Sequence, residues 1–425
     1  MAAATYSVTT SGTDINGVWR KIQAKVAEAI RHSREEYDWF EDFPVEDVDW
    51  SHRETLVPLN INEEIGIATV PEGGKLARPS SVDLEEISIS LTHFNGRFTA
   101  SNLAKWADKG MSNQVEKQLR LQATNKVNAI GRRFSDMVYG TSVGTIALTD
   151  TDVAGATDTL VLKDAYGKSD IDTAAYLADK FRPGEFYALV NGSSLVPGSF
   201  FSVDAGGVDA TNGQIDVTYT DGAGPTETTN DLKIVYANNL ENTTLSGGTD
   251  YNRGLVGFID VLTTAAVSGL THDNWDVSFE DATGGRLDSS RLRKCFQTIS
   301  NYSNKTPNRL LLAQGVERDL VLQERSLVRY GSPMGMELDG SVKMKGLEVI
   351  APRNMLPKHA IMYNTSVYKK VALLPKPQGQ GGLSWKDGYQ MQDDDGMIFR
   401  ADLVLGLFTN NRKAFGYFEA LTEAA

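Results

Sequence analysis

Residues 115–140, VEKQLRLQATNKVNAIGRRFSDMVYG, decide the fold. Apolar side chains recur at Val115, Leu119, Ala123, Val127, Ile130, Phe134 and Met137, in steps of three and four. That spacing draws a single stripe along a helix. Glu116, Lys117, Arg120, Asn125, Lys126, Arg132, Arg133 and Asp136 fall between the stripe positions and make the opposite face polar. Asn113 with Glu116 has the form of a capping box, and Gly140 stands where a helix stops. At 1.5 Å per residue the helix is about 40 Å long. A helix of that length is expected to be a spine under a sheet, with Val115, Leu119, Val127, Ile130 and Phe134 as its core side. A shorter helix, Ser101 to Asp108, precedes it, and Gly110 separates the two.

Upstream of the spine lie two strand-like runs. In the first, Thr55 to Val70, the apolar positions are Leu59, Ile61, Ile65, Ile67 and Val70. In the second, Leu84 to Phe98, Ile87, Ile89 and Leu91 alternate with Ser88, Ser90 and Thr92, as in a strand with one covered face. Pro71-Glu-Gly-Gly74 is a turn signal between them. The two runs predict a long hairpin whose tip carries Glu72, Gly73, Gly74, Lys75 and Arg78. An isolated hairpin is marginal in water, so this one needs another surface, expected on a second copy of the chain. Further back, Val18, Ile22, Val26, Ile30 and Tyr37 mark a helical stripe. It is followed by Trp39 and Phe40 among acidic residues. This stretch reads as an arm with aromatic anchors, or equally as an ordinary amphipathic helix on its own core.

Downstream of Gly140 the texture changes. Residues 149–252 are rich in Thr, Asp, Gly and Asn, and hold 16 acidic against 5 basic residues. That is a net charge of −11 out of −13 for all 425 residues. Short strands are expected at 159–162, 186–190, 214–219 and 232–236, with one helix over 170–181. These predict a β barrel or sandwich inserted between helical segments. Beyond it, helices are expected over 255–262, 288–302 and 316–325. Strands are expected at 309–313, 347–351, 360–363, 371–374, 397–407 and 412–421. The class is α+β with an all-β insertion.

Composition excludes several functions. One cysteine, Cys295, permits no internal disulfide. The first residues lack the features of a signal peptide, and no apolar run is long enough to span a membrane. The acidic balance repels nucleic acid and leaves no basic stripe. Gly140-Thr-Ser-Val-Gly144 matches a nucleophile elbow, but a helix precedes it and a loop follows, the reverse of what that chemistry needs. The five histidines, His32, His52, His93, His272 and His359, show no metal-ligand spacing. Asp393-Asp-Asp-Gly396 lacks the spaced ligands of a calcium loop. No catalytic residue, cofactor or metal is expected, and the chain does not read as an enzyme.

The order of parts carries a resemblance. An arm leads into a hairpin containing Ile87-Ser-Ile-Ser-Leu91, then Phe98-Thr-Ala-Ser-Asn-Leu-Ala-Lys-Trp106, then the spine ending Phe134-Ser-Asp-Met-Val-Tyr-Gly140. Later come Asn252-Arg-Gly-Leu-Val-Gly-Phe258, Arg309-Leu-Leu-Leu-Ala313 and Met344-Lys-Gly-Leu-Glu-Val-Ile-Ala-Pro352. This resembles the major capsid protein of tailed bacteriophages, with the Hong-Kong-ninety-seven-type fold. The resemblance implies an arm (1–50), an extended hairpin loop (51–100) and a peripheral domain with the spine (101–148). It further implies an inserted β domain (149–252), an axial domain (253–366) and closing sheet strands (367–425). It implies contacts between subunits through Trp39, Phe40, Glu72, Gly73, Gly74, Lys75 and Arg78. Hexamers and pentamers would close around double-stranded DNA, with scaffolding, portal and decoration proteins as further partners. The place would be the virion, after synthesis in the host cytoplasm. The family's lysine–asparagine cross-link is not carried over, because the pattern around Lys75 does not match. Two other readings stand beside this one: an encapsulin-like compartment shell, and a secreted carbohydrate-binding enzyme built on the β segment.

Overall fold

The computed structural model describes residues 45–46, 54–60, 84–101, 112–141, 144–237 apart from short gaps, 254–263, 276–328, 347–372 without 353–354, 383–390, 396–409 and 411–423. In chain order it begins with strands β1 (Val45–Glu46), β2 (Glu54–Asn60), β3 (Leu84–Ser90) and β4 (Thr92–Ser101), then helix α1 (Ser112–Val138). Next come β5 (Ala147–Thr149), β6 (Thr157–Lys163), α2 (Ile171–Ala178), β7 (Phe186–Asn191), β8 (Ser194–Leu195), β9 (Phe201–Asp209), β10 (Gln214–Tyr219) and β11 (Lys233–Tyr236). The third stretch holds α3 (Phe258–Thr263), β12 (Phe279–Asp281), α4 (Ser289–Ser303), β13 (Arg309–Leu312), α5 (Gln314–Val328) and β14 (Glu348–Ile350). Strands β15 (Ala360–Tyr363), β16 (Tyr368–Ala372), β17 (Leu383–Gln390), β18 (Gly396–Thr409) and β19 (Phe415–Phe418) close it. Contacts divide the chain into two compact units. One contains Thr92–Asp136 and Val371–Leu405; the other contains Phe43–Leu91, Met137–Lys370 and Gly406–Ala425.

In the first unit β18 runs antiparallel between β4 and β17. Its ladder with β4 is unbroken from Gly396 opposite Ser101 to Leu405 opposite Thr92. Thr92, Phe94 and Gly96 are buried, whereas His93, Asn95 and Arg97 are exposed. The spine helix covers the buried side. Phe94 meets Phe134 edge-on with ring centroids 6.3 Å apart. A Cβ on Gly96 would lie 3.0 Å from Ile130 Cδ1, so the missing side chain lets the helix come close. Ile130 and Phe134 are each 7% exposed.

Three sequence expectations change here. The run from Leu84 to Phe98 is two strands, because β3 pairs with β2 and β4 pairs with β18. Leu91 belongs to neither strand, and the buried set after it is Thr92, Phe94 and Gly96. Helix α1 starts at Ser112, which places Asn113 inside it and removes the capping-box reading. Its polar face also ends early. Ser135 and Asp136 are 1% and 5% exposed, so the last turn is buried all round.

In the second unit, β5, β6, β10, β9, β7 and β11 pair in that order, and β11 pairs back onto β5. Every pairing in the ring is antiparallel, so six strands close a barrel and β8 extends it beside β7. Closure leaves the six ring strands without open edges. Tyr187 packs on Phe181, Tyr236 and Phe201 at centroid distances of 5.0, 5.2 and 5.7 Å. Phe201 meets Tyr219 edge-on. All five rings are 2% exposed or less. Alternate residues of β7 fill a second cluster, Ala188 and Val190 with Leu195, Phe200, Val235 and Ala237. Both faces of β7 are therefore covered, which explains its continuous apolar run.

Five further strands form a mixed sheet in the order β12, β19, β15, β13, β14, with parallel pairs at its two ends, while β1 and β16 join the sheet of β18. Helix α4 lies over β19. Asp288 caps it, accepting the Arg291 amide at 2.7 Å, and Leu292, Cys295, Ile299 and Ser303 form its buried stripe. A Cβ on Gly416 would collide with Cys295 Sγ and lie 3.1 Å from Ile299 Cδ1. Gly416→Ala is therefore expected to lower subunit stability by about 1–3 kcal/mol through overpacking. Cys295→Ala in the same chain should recover part of that loss. Chemical denaturation of the two variants checks both statements. The strand expected over 412–421 shortens to β19, because Arg412–Ala414 is a 3₁₀ turn. Its Arg412 is 2% exposed and donates from Nη2 to the Leu262 carbonyl at 2.5 Å, at the end of α3.

Candidate assembly surface

The residues expected to join subunits, Trp39, Phe40, Glu72, Gly73, Gly74, Lys75 and Arg78, lie outside the described residues. So do Ser142 and the side chains of Val115, Leu119 and Val127. What the structure gives of the hairpin is its root. Seven residues of β2 pair with seven of β3, from Glu54 opposite Ser90 to Asn60 opposite Leu84. The register sets Thr55 and Val57 opposite Ile89 and Ile87. Pro58 has no amide hydrogen, so β2 suits an edge and not the middle of a sheet. Among the described residues no third strand joins this pair.

On the exposed side of the β4–β18 ladder a carboxylate gathers three donors. Asp402, 2% exposed, accepts from His93 Nε2 at 2.9 Å and from Asn95 Nδ2. Arg400 Nε donates to both its oxygens, at 2.7 and 2.5 Å. Burial alone would push this carboxyl up. The bonds from Arg400, His93 and Asn95, together with the Arg400 charge, outweigh burial and hold it below the usual aspartate range. A depressed folded-state pKa stabilises the fold above the unfolded value of about 4, and that contribution is lost as pH falls through the folded value. Asp402→Asn should therefore cost stability at pH 7, and the gap to the parent should close below about pH 4. Thermal melts across pH 3–7 check it.

The glycines of the apparent nucleophile elbow have a packing role. A Cβ on Gly257 would fall on the Gly140 carbonyl. Gly144 has φ +72°, and its Cβ would lie 2.8 Å from Gly254 Cα. The chain entering the barrel at 140–144 is thus pressed, backbone to backbone, on the chain at 254–257. The signal that could have found this contact is the second close glycine pair, Gly254 and Gly257, which makes sense only beside the first.

Other reactive groups are sealed or structural. Cys295 is fully buried; burial, with the Asp281 charge, pushes its thiol well above the ordinary range. Lys163, 6% exposed, pairs with Asp231 and lies 3.5 Å from Asp150 Oδ1. Among the described residues no group of three or more His, Cys, Asp or Glu is placed to hold a metal ion. None of the described helices is long and apolar enough to cross a membrane.

No family model and no curated protein matches the chain. Among solved structures it is similar to the cyanophage A-1(L) capsid, at 10% identity and TM-score 0.48, covering 91% of this chain and 93% of that one. It is similar to the holo-SrpI encapsulin of Synechococcus elongatus, at 10% identity and TM-score 0.43, covering 91% and 89%. It is also similar to the capsid of a native GTA particle, at 9% identity and TM-score 0.41, covering 91% of each.

Proposed function

We propose that the chain is a shell subunit, the major capsid protein of a tailed-phage head. It would assemble through hexamers and pentamers around double-stranded DNA and perform no catalytic step. The observation that carries this reading is the root of the hairpin. Strands β2 and β3 pair only with each other among the described residues, and 61–83 continue from their far end. A two-stranded ribbon gains too little burial to stand alone. A neighbouring subunit that covers it supplies that burial, at roughly 25 cal/mol per Å² of apolar surface. In this reading Glu72, Gly73, Gly74, Lys75 and Arg78 form the gripping tip, and Trp39 and Phe40 anchor the arm.

The barrel fits an inserted domain set on the outer face of such a shell. Its charge of −11 over 149–252 would be repelled by packaged phosphate and would aid solubility outside. Scaffolding, portal and decoration proteins are the partners this arrangement calls for. Expression of the full chain followed by negative-stain microscopy tests the proposal. Closed particles are expected, and absence of any particle across salt and concentration would overturn it. Nuclease-protected DNA inside supports the virion reading, whereas protein cargo without DNA would support an encapsulin-like compartment.

A further inference from the structure

We propose that the barrel is mounted on the mixed sheet by a rigid neck, not a hinge, and that Tyr166 is the residue that locks it. An inserted module joined by two chain crossings ordinarily moves on them, because loops carry few buried contacts. Here the entering crossing is pressed at its glycines on the described chain that follows the barrel, Gly140 on Gly257 and Gly144 on Gly254. A side chain at Gly140 would also meet the Thr145 carbonyl, so the entering chain turns back tightly on itself. Directly beyond, Ile146 donates to the Ile234 carbonyl at 2.9 Å and Thr149 to Leu232 at 3.0 Å. The entering segment therefore joins the barrel's ladder almost at once.

Tyr166 closes the arrangement from the side. It sits on the turn after β6, whose Asp164 is fully buried and accepts the Tyr166 amide at 2.9 Å. The Tyr166 hydroxyl lies 3.2 Å from the Gly140 carbonyl and 3.4 Å from that of Tyr139, and donates across the neck. Its ring lies against His359, with centroids 6.4 Å apart, and His359 stacks on Tyr417 at 5.7 Å. His359 precedes β15 and Tyr417 lies in β19, both strands of the mixed sheet. His359 is held by its own Nδ1 bond to the Pro357 carbonyl at 2.6 Å and is 2% exposed. One side chain of the barrel thus touches the entering backbone and a buried aromatic stack of the sheet. The barrel and the mixed sheet also fall within a single compact unit. A mount of this kind gives every copy of the barrel the same orientation, so whatever the barrel displays repeats identically from subunit to subunit.

Hydrogen–deuterium exchange on the full-length chain tests this, whether or not the chain forms shells. In the parent, amides of 138–147 and 254–258 should exchange as slowly as those of β13 and β15. Tyr166→Ala should speed exchange at 138–147 at least tenfold and leave β6 and β10 protected. Tyr166→Phe, which keeps the ring and loses the hydroxyl, should fall between the two. Neck amides in the parent that exchange fully at the shortest labelling time, with barrel and sheet still protected, would establish a hinge and overturn the proposal. Unchanged neck exchange in Tyr166→Ala would overturn the role given to Tyr166. If Tyr166→Ala loses protection throughout, Tyr166→Phe decides that role, since it removes a single hydrogen-bonding group.

Discussion

Ile130→Asp is expected to leave the chain insoluble. Ile130 is 7% exposed and its Cδ1 faces the bare Gly96 of β4, one turn from Phe134. An aspartate there places a carboxylate in apolar surroundings. The penalty is on the order of several kcal/mol, a large share of the roughly 5–15 kcal/mol that holds a domain folded. Ile130→Val, which removes one methyl group, should cost only about 0.5–1.5 kcal/mol and stay soluble. Comparing the soluble fractions of the two variants checks the claim. A soluble Ile130→Asp chain with a parental circular dichroism spectrum would mean that the helix does not rest on this sheet.

Removing the hairpin tip is expected to act in the opposite way, sparing the subunit and failing the shell. Glu72 to Arg78 carry three charged side chains and two glycines, with Leu76 and Ala77 as their apolar residues. Replacing them with Asn-Gly gives the two arms a turn that suits a hairpin. If the tip serves only contacts between subunits, thermal unfolding of the unassembled subunit should match the parent. Assembly should drop by at least tenfold if, as proposed, Lys75 and Arg78 grip the neighbour. In the parent, those charged contacts should weaken as salt rises. Shortened chains that assemble as well as the parent would remove the tip from the proposed interface.

Much of the fold was legible because local pattern and tertiary environment agree. Helix α1 buries Ala123, Ile130, Phe134 and Met137 of its stripe, and Asp288 announces α4 as an N-cap should. Strands β6, β7, β10, β13 and β15 lie where apolar residues cluster or alternate. The failures are places where backbone irregularity hides the pattern. Gly206 and Gly207 suggest a loop, yet they sit in the middle of β9, where its register with β10 shifts. Lys386-Asp-Gly388 breaks the alternation of β17 in the same way, at a register shift against β18. Leu91 hides a change of partner, since alternation continues through it while the pairing does not. Closure of the barrel depends on β11 finding both β5 and β7, which no local pattern announces.

The proposed assembly residues rest on other grounds. Lys75 and Arg78 follow from charge and glycine at the end of an expected ribbon, and Trp39 and Phe40 from aromatic residues in an acidic arm. The neck was not reached at all. Gly140 and Gly257 are more than a hundred positions apart, so the pair at 254 and 257 gains its meaning only once 140–144 lies beside it. Tyr166 likewise looks like an ordinary turn residue until His359 is beside it.

The most direct measurement of the central claim is the sedimentation of the purified full-length chain across salt and protein concentration. A shell subunit predicts a discrete, very large species in exchange with monomers, pentamers or hexamers, increasing with concentration. A single monomer or dimer boundary under every condition would contradict it.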